Sequence, residues 1–273
     1  MKTIRASFRA PRILGALTAA AILAAQGFGA VLEIPGAAAA SISQAMVAAR
    51  AGDTVIVAEG VYREQVLVKS AITLKARAGL KSIIDGKGKG PAVTLGGGAA
   101  IIGFEIRHAT VGVSSQNSEN SIIGCRITGM RESGIVCVGR LPKIEDNVIV
   151  FNKGSGIQGW NLEGPSDSIT HNTIAFNGNN GIALGGSSHI VVENNIVAFN
   201  ERSGLKLSEG SILVQAGKND FFENTGMSYI KLEDNVACDP KFVGPRKMDF
   251  ALQPDSPCKN KGLDGEDLGA RYK

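Results

Sequence analysis

The chain has 273 residues, 44% of them hydrophobic, but aromatics are only 5% and glycines number 35, so the interior must be filled by Ile, Val, Leu and Ala around many tight turns. The net charge of +4 includes Lys2, Arg5, Arg9 and Arg12, which all precede the first acid, Glu33. Without them the chain is close to neutral and gives no support to a nucleic-acid-binding class. Residues 1–27 read as an export signal, with a basic start, an apolar run from Ile13 to Ala25, and small residues Ala25, Gly27 and Gly29 near a cleavage point. Thirteen apolar residues fall short of the roughly 20 that span a bilayer, and no cysteine follows them to carry a lipid. The expectation is a secreted or periplasmic protein with no membrane span after cleavage.

Residues 28–52 read as a linker and a capping helix. In Ser41–Ala51, Ser41 can cap the start with Gln44 three residues on, and Ile42, Ala45, Met46 and Ala49 form an apolar stripe. Such a helix would cover the exposed edge of a stack of strands. Strands follow at Thr54–Ala58, Val66–Val68, Ile72–Leu74, Ile83–Ile84, Val93–Leu95 and Ile101–Ile106, separated by Gly, Asp and Lys turns. No helical stretch connects them, which excludes a doubly wound sheet.

From Ile122 to Leu205 one pattern, I-x-x-N-x-I-x-F-N-x-x-x-G-I, is written four times, the first copy being the weakest. Its opening positions are Ile122, Ile144, Ile169 and Val192, with insertions only between the fixed slots, as stacked coils behave. Period two points Ile144, Ile149, Phe151 and Ile157 inward. Asn147, Asn172, Asn195 and Asn219 are expected to form a structural ladder at a sharp corner, and Asn152, Asn177, Asn200 and Asn224 to line another turn. Phe151, Phe176 and Phe199 are expected to stack as an internal column. The L-x-x-L-x-L consensus of leucine-rich repeats is absent. The architecture read here is all-β: one right-handed parallel β-helix over residues 53–235, with the N-terminal capping helix and a loop-rich C-terminal cap over 236–273.

The repeat, the opening GDTVIVAEGVYREQVLV from Gly52 and the closing DPKFVGPRKMDFALQPDSPC from Asp239 together resemble the right-handed parallel β-helix family, the pectin-lyase-like superfold. That resemblance implies the fold and a carbohydrate-directed role, while the fold hosts many chemistries as well as non-catalytic adhesins. In the enzymes it resembles, the sheet opened by the Gly-Ile of each repeat forms the floor of a glycan groove. Here its outward slots are Val136, Gln158, Ala183 and Lys206 in one column, with Val138, Trp160, Gly185 and Ser208 in the next. Trp160, the single Trp, is placed either to stack on a sugar or to pack the loop Asn161–Ser168 that it opens. Arg131, Lys153 and Arg202 precede the glycines and read either as a positive rim for an acidic glycan or as solvated turn charges diluted by Glu132 and Glu201.

The candidate catalytic residues are therefore Lys206, Arg131 and His171. His171 shares a slot with Asp146 one coil earlier, close to Glu193, whereas His108 and His189 stand isolated. Substrate-binding candidates are Trp160, Gln158, Lys153 and Arg202. No paired carboxylates at glycosidase spacing occur, no metal site is evident, and calcium, which lyases of this superfold use, has no motif here. Cys238 and Cys258 would close a ring of about 20 residues and contribute about 3 kcal/mol if bonded as a disulfide. Cys125 and Cys137 read as buried, unreactive thiols. The function expected is binding or lyase-like processing of an acidic polysaccharide or envelope glycan; the alternative is a non-catalytic surface scaffold or adhesin.

Overall fold

A computed structural model of the protein describes residues 29–35, 40–164, 168–208, 213–226 and 234–271; the expected export signal lies outside the described residues. Each coil visits three parallel sheets in turn. In a central coil, Lys143–Glu145 lies in the first sheet, Val148–Val150 in the second and Ile157–Gly164 in the third. The next coil repeats the course with Ser168–Thr170, Thr173–Ala175 and Ile182–Glu193, the last running straight across the corner from the third sheet into the first. The result is a right-handed parallel β-solenoid.

Three columns of β-branched and Leu side chains fill the lumen, one per sheet. Ile122, Ile144, Ile169 and Val192 are in register in the first sheet. Ile106, Ile127, Ile149, Ile174 and Val197 follow in the second, and Val113, Ile135, Ile157, Ile182 and Leu205 in the third. All are buried. The glycine before each third-sheet strand is required by close approach. A Cβ on Gly156 would stand 2.5 Å from Ile174 Cγ2 and 2.7 Å from the Gly181 carbonyl oxygen, and Gly134 and Gly181 meet the same obstruction.

Two asparagine ladders hold the corners. Asn172 Oδ1 accepts from the Asn147 backbone N–H at 2.9 Å and from its amide at 3.0 Å, and Asn195 and Asn219 continue the same exchange. The column then reaches Asn235, which the repeat does not reveal. Asn152, Asn177, Asn200 and Asn224 form the second ladder, at the corner between the second and third sheets. At the head of the first, Cys125 gives its N–H to Asn147 Oδ1. Burial pushes the Cys125 thiol up to about 11 and the Cys137 thiol up to about 12, so both are inert packing groups.

Several expectations are corrected. Residues 31–34, inside the stretch read as linker, form a strand that pairs with Thr54–Val57 and extends the first sheet. The helix spans Ile42–Ala48, capped by the Ser41 side chain accepting from the Gln44 N–H, and stops because Ala49 is already extended. Gly60–Tyr62 is a further second-sheet strand, and Ile101–Ile106 divides at Gly103, whose φ of 80° makes the corner. The Phe column stacks, with centroids 5.3 Å (Phe151–Phe176) and 4.9 Å (Phe176–Phe199) apart, but outside the lumen. Each Phe sits at a corner with φ near 55–57°, which turns its side chain outward.

That outer column belongs to a second apolar cluster. Val148, Val150, Ala175, Ile196 and Ala198 project from the outer face of the second sheet and are covered by Phe242, Phe250, Cys258 and Leu268 of the C-terminal segment. The segment climbs back along the solenoid. Gly269 N–H bonds Asn194 O, Ala270 N–H bonds Thr173 Oγ1, and Arg271 reaches Asp146.

Candidate functional site

The outer face of the third sheet carries the column Leu67, Thr94, Ser114, Val136, Gln158, Ala183 and Lys206, in continuous register. Lys206 is the one charged member. It lines a cleft of about 350 Å³ with Arg202, Glu201, Asn180, Ser203 and Thr225. Asn180 is buried and accepts the Ser203 N–H at 3.2 Å, which fixes the turn that carries Arg202. Lys206 and Arg202 are exposed, and neither makes an ion pair among the described residues. Two cations against one acid, Glu201, leave the cleft net positive, which suits a carboxylate or sulfate.

Trp160 is 43% exposed, two coils from Lys206. It does not open a loop. The strand continues to Gly164, with Trp160 and Asn161 forming a bulge (Asn161 φ 51°) that returns Leu162 to the lumen opposite Gly186. The bulge leaves the indole outward on the floor. Gln158, one residue pair away, accepts from Ser133 Oγ at 3.1 Å.

The turn cations do not run as one stripe. Arg131 and Lys153 hold one slot in adjacent coils, Gly178 and Glu201 hold it in the next two, and Arg202 sits in the neighbouring slot. Arg131 is three coil steps from Lys206, about 14 Å at strand spacing, so the two cannot touch one bond. His171 lies at another corner altogether, between the first and second sheets. It is 9% exposed, its Nε2 2.9 Å from Glu266 Oε2 and 3.1 Å from Asn194 Nδ2. Asp146, its neighbour one coil earlier, is taken by Arg271 Nε and Nη2, each at 2.8 Å. The three candidate catalytic residues are thus not brought together, and the Asp146–His171 corner is where the C-terminal segment is anchored. A cleft of about 580 Å³ beside that anchor is lined by Asp146, Glu266 and Arg271 together with apolar residues and glycines of the corner.

The sequence profile of the right-handed beta helix region matches residues 91–237, more than half of the chain. The chain belongs to the right-handed β-helix family. Among solved structures, this β-helix protein is similar to pectate lyase Pel9A, with a TM-score of 0.61 and 12% identity over 90% of this chain and 97% of that one. It is also similar to an alginate lyase from Paenibacillus sp. str. FPU-7, with a TM-score of 0.51 and 13% identity over 76% and 95%. At such identities the likeness establishes the fold, the pectin-lyase-like superfold. No curated protein sequence matches the chain.

Calcium does not fit the floor of this β-helix. The cation takes six to eight oxygen ligands, roughly, and the floor column holds no carboxylate, with Glu201 the one acid lining the cleft. A different donor set lies under the C-terminal segment. The Cys238 and Cys258 sulfurs are 3.1 Å apart, beyond the ~2.05 Å of a bonded pair, and both are thiols in this structure. With Asp220 they offer three donors within 4.8 Å, one short of the roughly four that a structural zinc site uses. Burial pushes the Asp220 carboxyl up to about 7, while its Oδ1 accepts the Cys238 N–H at 2.9 Å.

Two features were missed in the sequence. His108, read as isolated, has Nδ1 3.0 Å from Asp85 Oδ2. Burial acts to raise the Asp85 carboxyl, but hydrogen bonds from His108 and the Lys87 N–H, with Arg107 nearby, bring it below the usual carboxylate range. The second feature is the docking face of the C-terminal segment, and it had a signal. Second-sheet strands read E-I-R and R-I-T in the uncovered coils, then V-I-V, T-I-A and I-V-A where the segment lies. An apolar residue on both faces of a strand means that both faces are covered.

Proposed function

We propose that this β-helix protein binds and processes an acidic polysaccharide along the outer face of its third sheet, with the reacting bond at the Arg202–Lys206 cleft. The observation that carries this reading is the pairing of two exposed cations, against the single acid Glu201, in a cleft at one end of an otherwise uncharged floor. The lyases whose fold it shares act on uronate polymers by their printed names, pectate and alginate. Trp160 offers an apolar ring to a sugar two units away along the axis, and Arg131 and Lys153 offer charge further along the same rim.

The chemistry such a cleft supports is elimination. Arg202 neutralises the uronate carboxylate, which acidifies the adjacent C5–H, and Lys206, once it has given its own ammonium proton to water, takes that proton. The C5–H electron pair becomes the C4–C5 double bond, the C4–O bond breaks, and the departing sugar oxygen takes up a proton from water. The export signal expected over residues 1–27 supports a reading in which this work is done in the periplasm or outside the cell. Recovery of a protein lacking that segment from the periplasmic or medium fraction tests the location.

The activity test is incubation with polygalacturonate, alginate and glycosaminoglycans, read by the ultraviolet absorbance of unsaturated uronates and, separately, by retention on immobilised glycan. Lys206→Ala should abolish turnover and keep retention, while Trp160→Ala should weaken retention. The uncharged floor favours one alternative, a scaffold or adhesin, and absence of both turnover and retention on every glycan would overturn the glycan reading and leave that one.

A further inference from the structure

The corner between the second and third sheets carries one outward side chain per coil. Arg107, Thr128 and Val150 are in register, so the residues that follow them, His108, Gly129 and Phe151, occupy one slot in three successive coils. All three are left-handed, with φ of 54°, 71° and 55°. Phe176 and Phe199 continue the column with the same φ, each ring stacked on the last. Gly129 is therefore a missing ring in a column of rings.

The gap has a definite size. His108 and Phe151 are two coil steps apart, about 10 Å at strand spacing, and the stacked Phe pairs show that one ring takes up one step. A Cβ built on Gly129 meets only the edge of His108, Cδ2 at 3.9 Å. One face of Phe151 packs on Phe176, and Phe250 touches it obliquely at 6.1 Å, so its other face looks along the column into the gap. That is why Phe151 is 40% exposed while Phe176 is half-buried.

The wall facing Phe151 is polar. His108 Nδ1 is committed to Asp85 Oδ2 at 3.0 Å, so Nε2 is the ring nitrogen left for a ligand. Arg131 reaches the other way, its Nη2 3.3 Å from the position of a Cβ on Gly88, whose N–H bonds the His108 carbonyl, so its charge lies past His108 from the gap.

We propose that the gap over Gly129 is a sugar subsite, in which one pyranose ring lies on the free face of Phe151 with its hydroxyl groups turned to His108 Nε2. A pyranose fits because it joins a flat C–H face to a rim of hydrogen-bonding groups, whereas a purely apolar ring would leave the imidazole unused. The subsite rests on the reading that the protein handles acidic glycan, and it lies outside the third-sheet floor, so a polymer leaving the floor over the Arg131–Lys153 rim would reach it.

The test is an NMR titration of the full chain, labelled on His and Phe rings and on Trp160, with hexamers of galacturonate or mannuronate. Gly129→Phe puts into the slot the residue that the column already accepts at that φ, so it should leave thermal stability unchanged or raise it while weakening the response at His108 by about tenfold. Phe151→Leu removes the platform without filling the gap and should have the same effect, which covers failure of the first variant to fold. Response at His108 and Phe151 that both variants suppress supports the subsite. Response confined to Trp160 and the Lys206 cleft overturns the subsite and leaves the proposed function standing. Response confined to the slot supports the subsite and removes the third-sheet reading, and no response anywhere overturns both.

Discussion

Replacing Asn172 by Ala isolates what holds the coils in register. The side chain is wholly buried; its Oδ1 satisfies the Asn147 backbone N–H, and its amide donates to the Ile144 and Thr170 carbonyls at 2.9 Å each. Some losses are covered. The Asn147 amide keeps the Ile122 carbonyl, and Asn195 Oδ1 keeps the Asn172 N–H. What remains is a buried N–H with no acceptor, costing about 1–3 kcal/mol, and two carbonyls that each lose a donor at about 1 kcal/mol. The expected destabilisation is about 3–5 kcal/mol. Asn224 is half-buried and makes the same kind of bonds to Asn200, so water can replace them and Asn224→Ala should cost only about 1–2 kcal/mol. Equilibrium urea unfolding, followed by far-ultraviolet dichroism and by Trp160 fluorescence, measures both and shows whether the transition stays cooperative. Equal losses in the two variants, or less than about 1 kcal/mol for Asn172→Ala, would refute the account of the ladder as a chain of buried bonds.

Two further outcomes follow from the C-terminal segment, beside those for Lys206 and Gly129 given above. Under reducing conditions, the Asp220 carboxyl binds its proton more tightly in the fold, at about 7, than at its ordinary 3.8. Its contribution is therefore present below about pH 4 and is lost as pH rises to about 7, by up to roughly 4 kcal/mol. Asp220→Asn, which keeps the acceptor for the Cys238 N–H, should flatten that part of the stability profile, and parallel profiles for parent and variant would rule the buried acid out. Arg271→Met breaks a half-exposed fork onto Asp146, so global stability should change by no more than about 1 kcal/mol. Hydrogen exchange should instead rise locally at the Gly269 and Ala270 amides, and unchanged protection there would show that the anchor lies elsewhere.

Much of this molecule was legible because a solenoid is nearly one-dimensional. Ile144, Asn147 and Gly156 each meet their equivalents one coil away, so a written repeat is already a contact map. The outward columns, down to Gln158, Ala183 and Lys206, follow from the same periodicity. Errors arose where a residue's direction depends on its φ rather than on period two. Phe151 alternates like a lumen residue, yet the corner turns it outward, and Trp160 reads as the start of a loop because a bulge is invisible in a hydrophobicity pattern.

The sequence by itself determined the coil, its ladders, the lumen and the slots in which chemistry can sit, since all of these are contacts between neighbouring repeats. Only the tertiary structure decided what lies against the outside. Residues far apart in the chain meet there without any periodic rule: the C-terminal segment lies on the second sheet, Arg271 on Asp146, and His108 across an empty slot from Phe151. Such contacts depend on the path of a non-repeating segment and on single left-handed corners, and the repeat specifies neither.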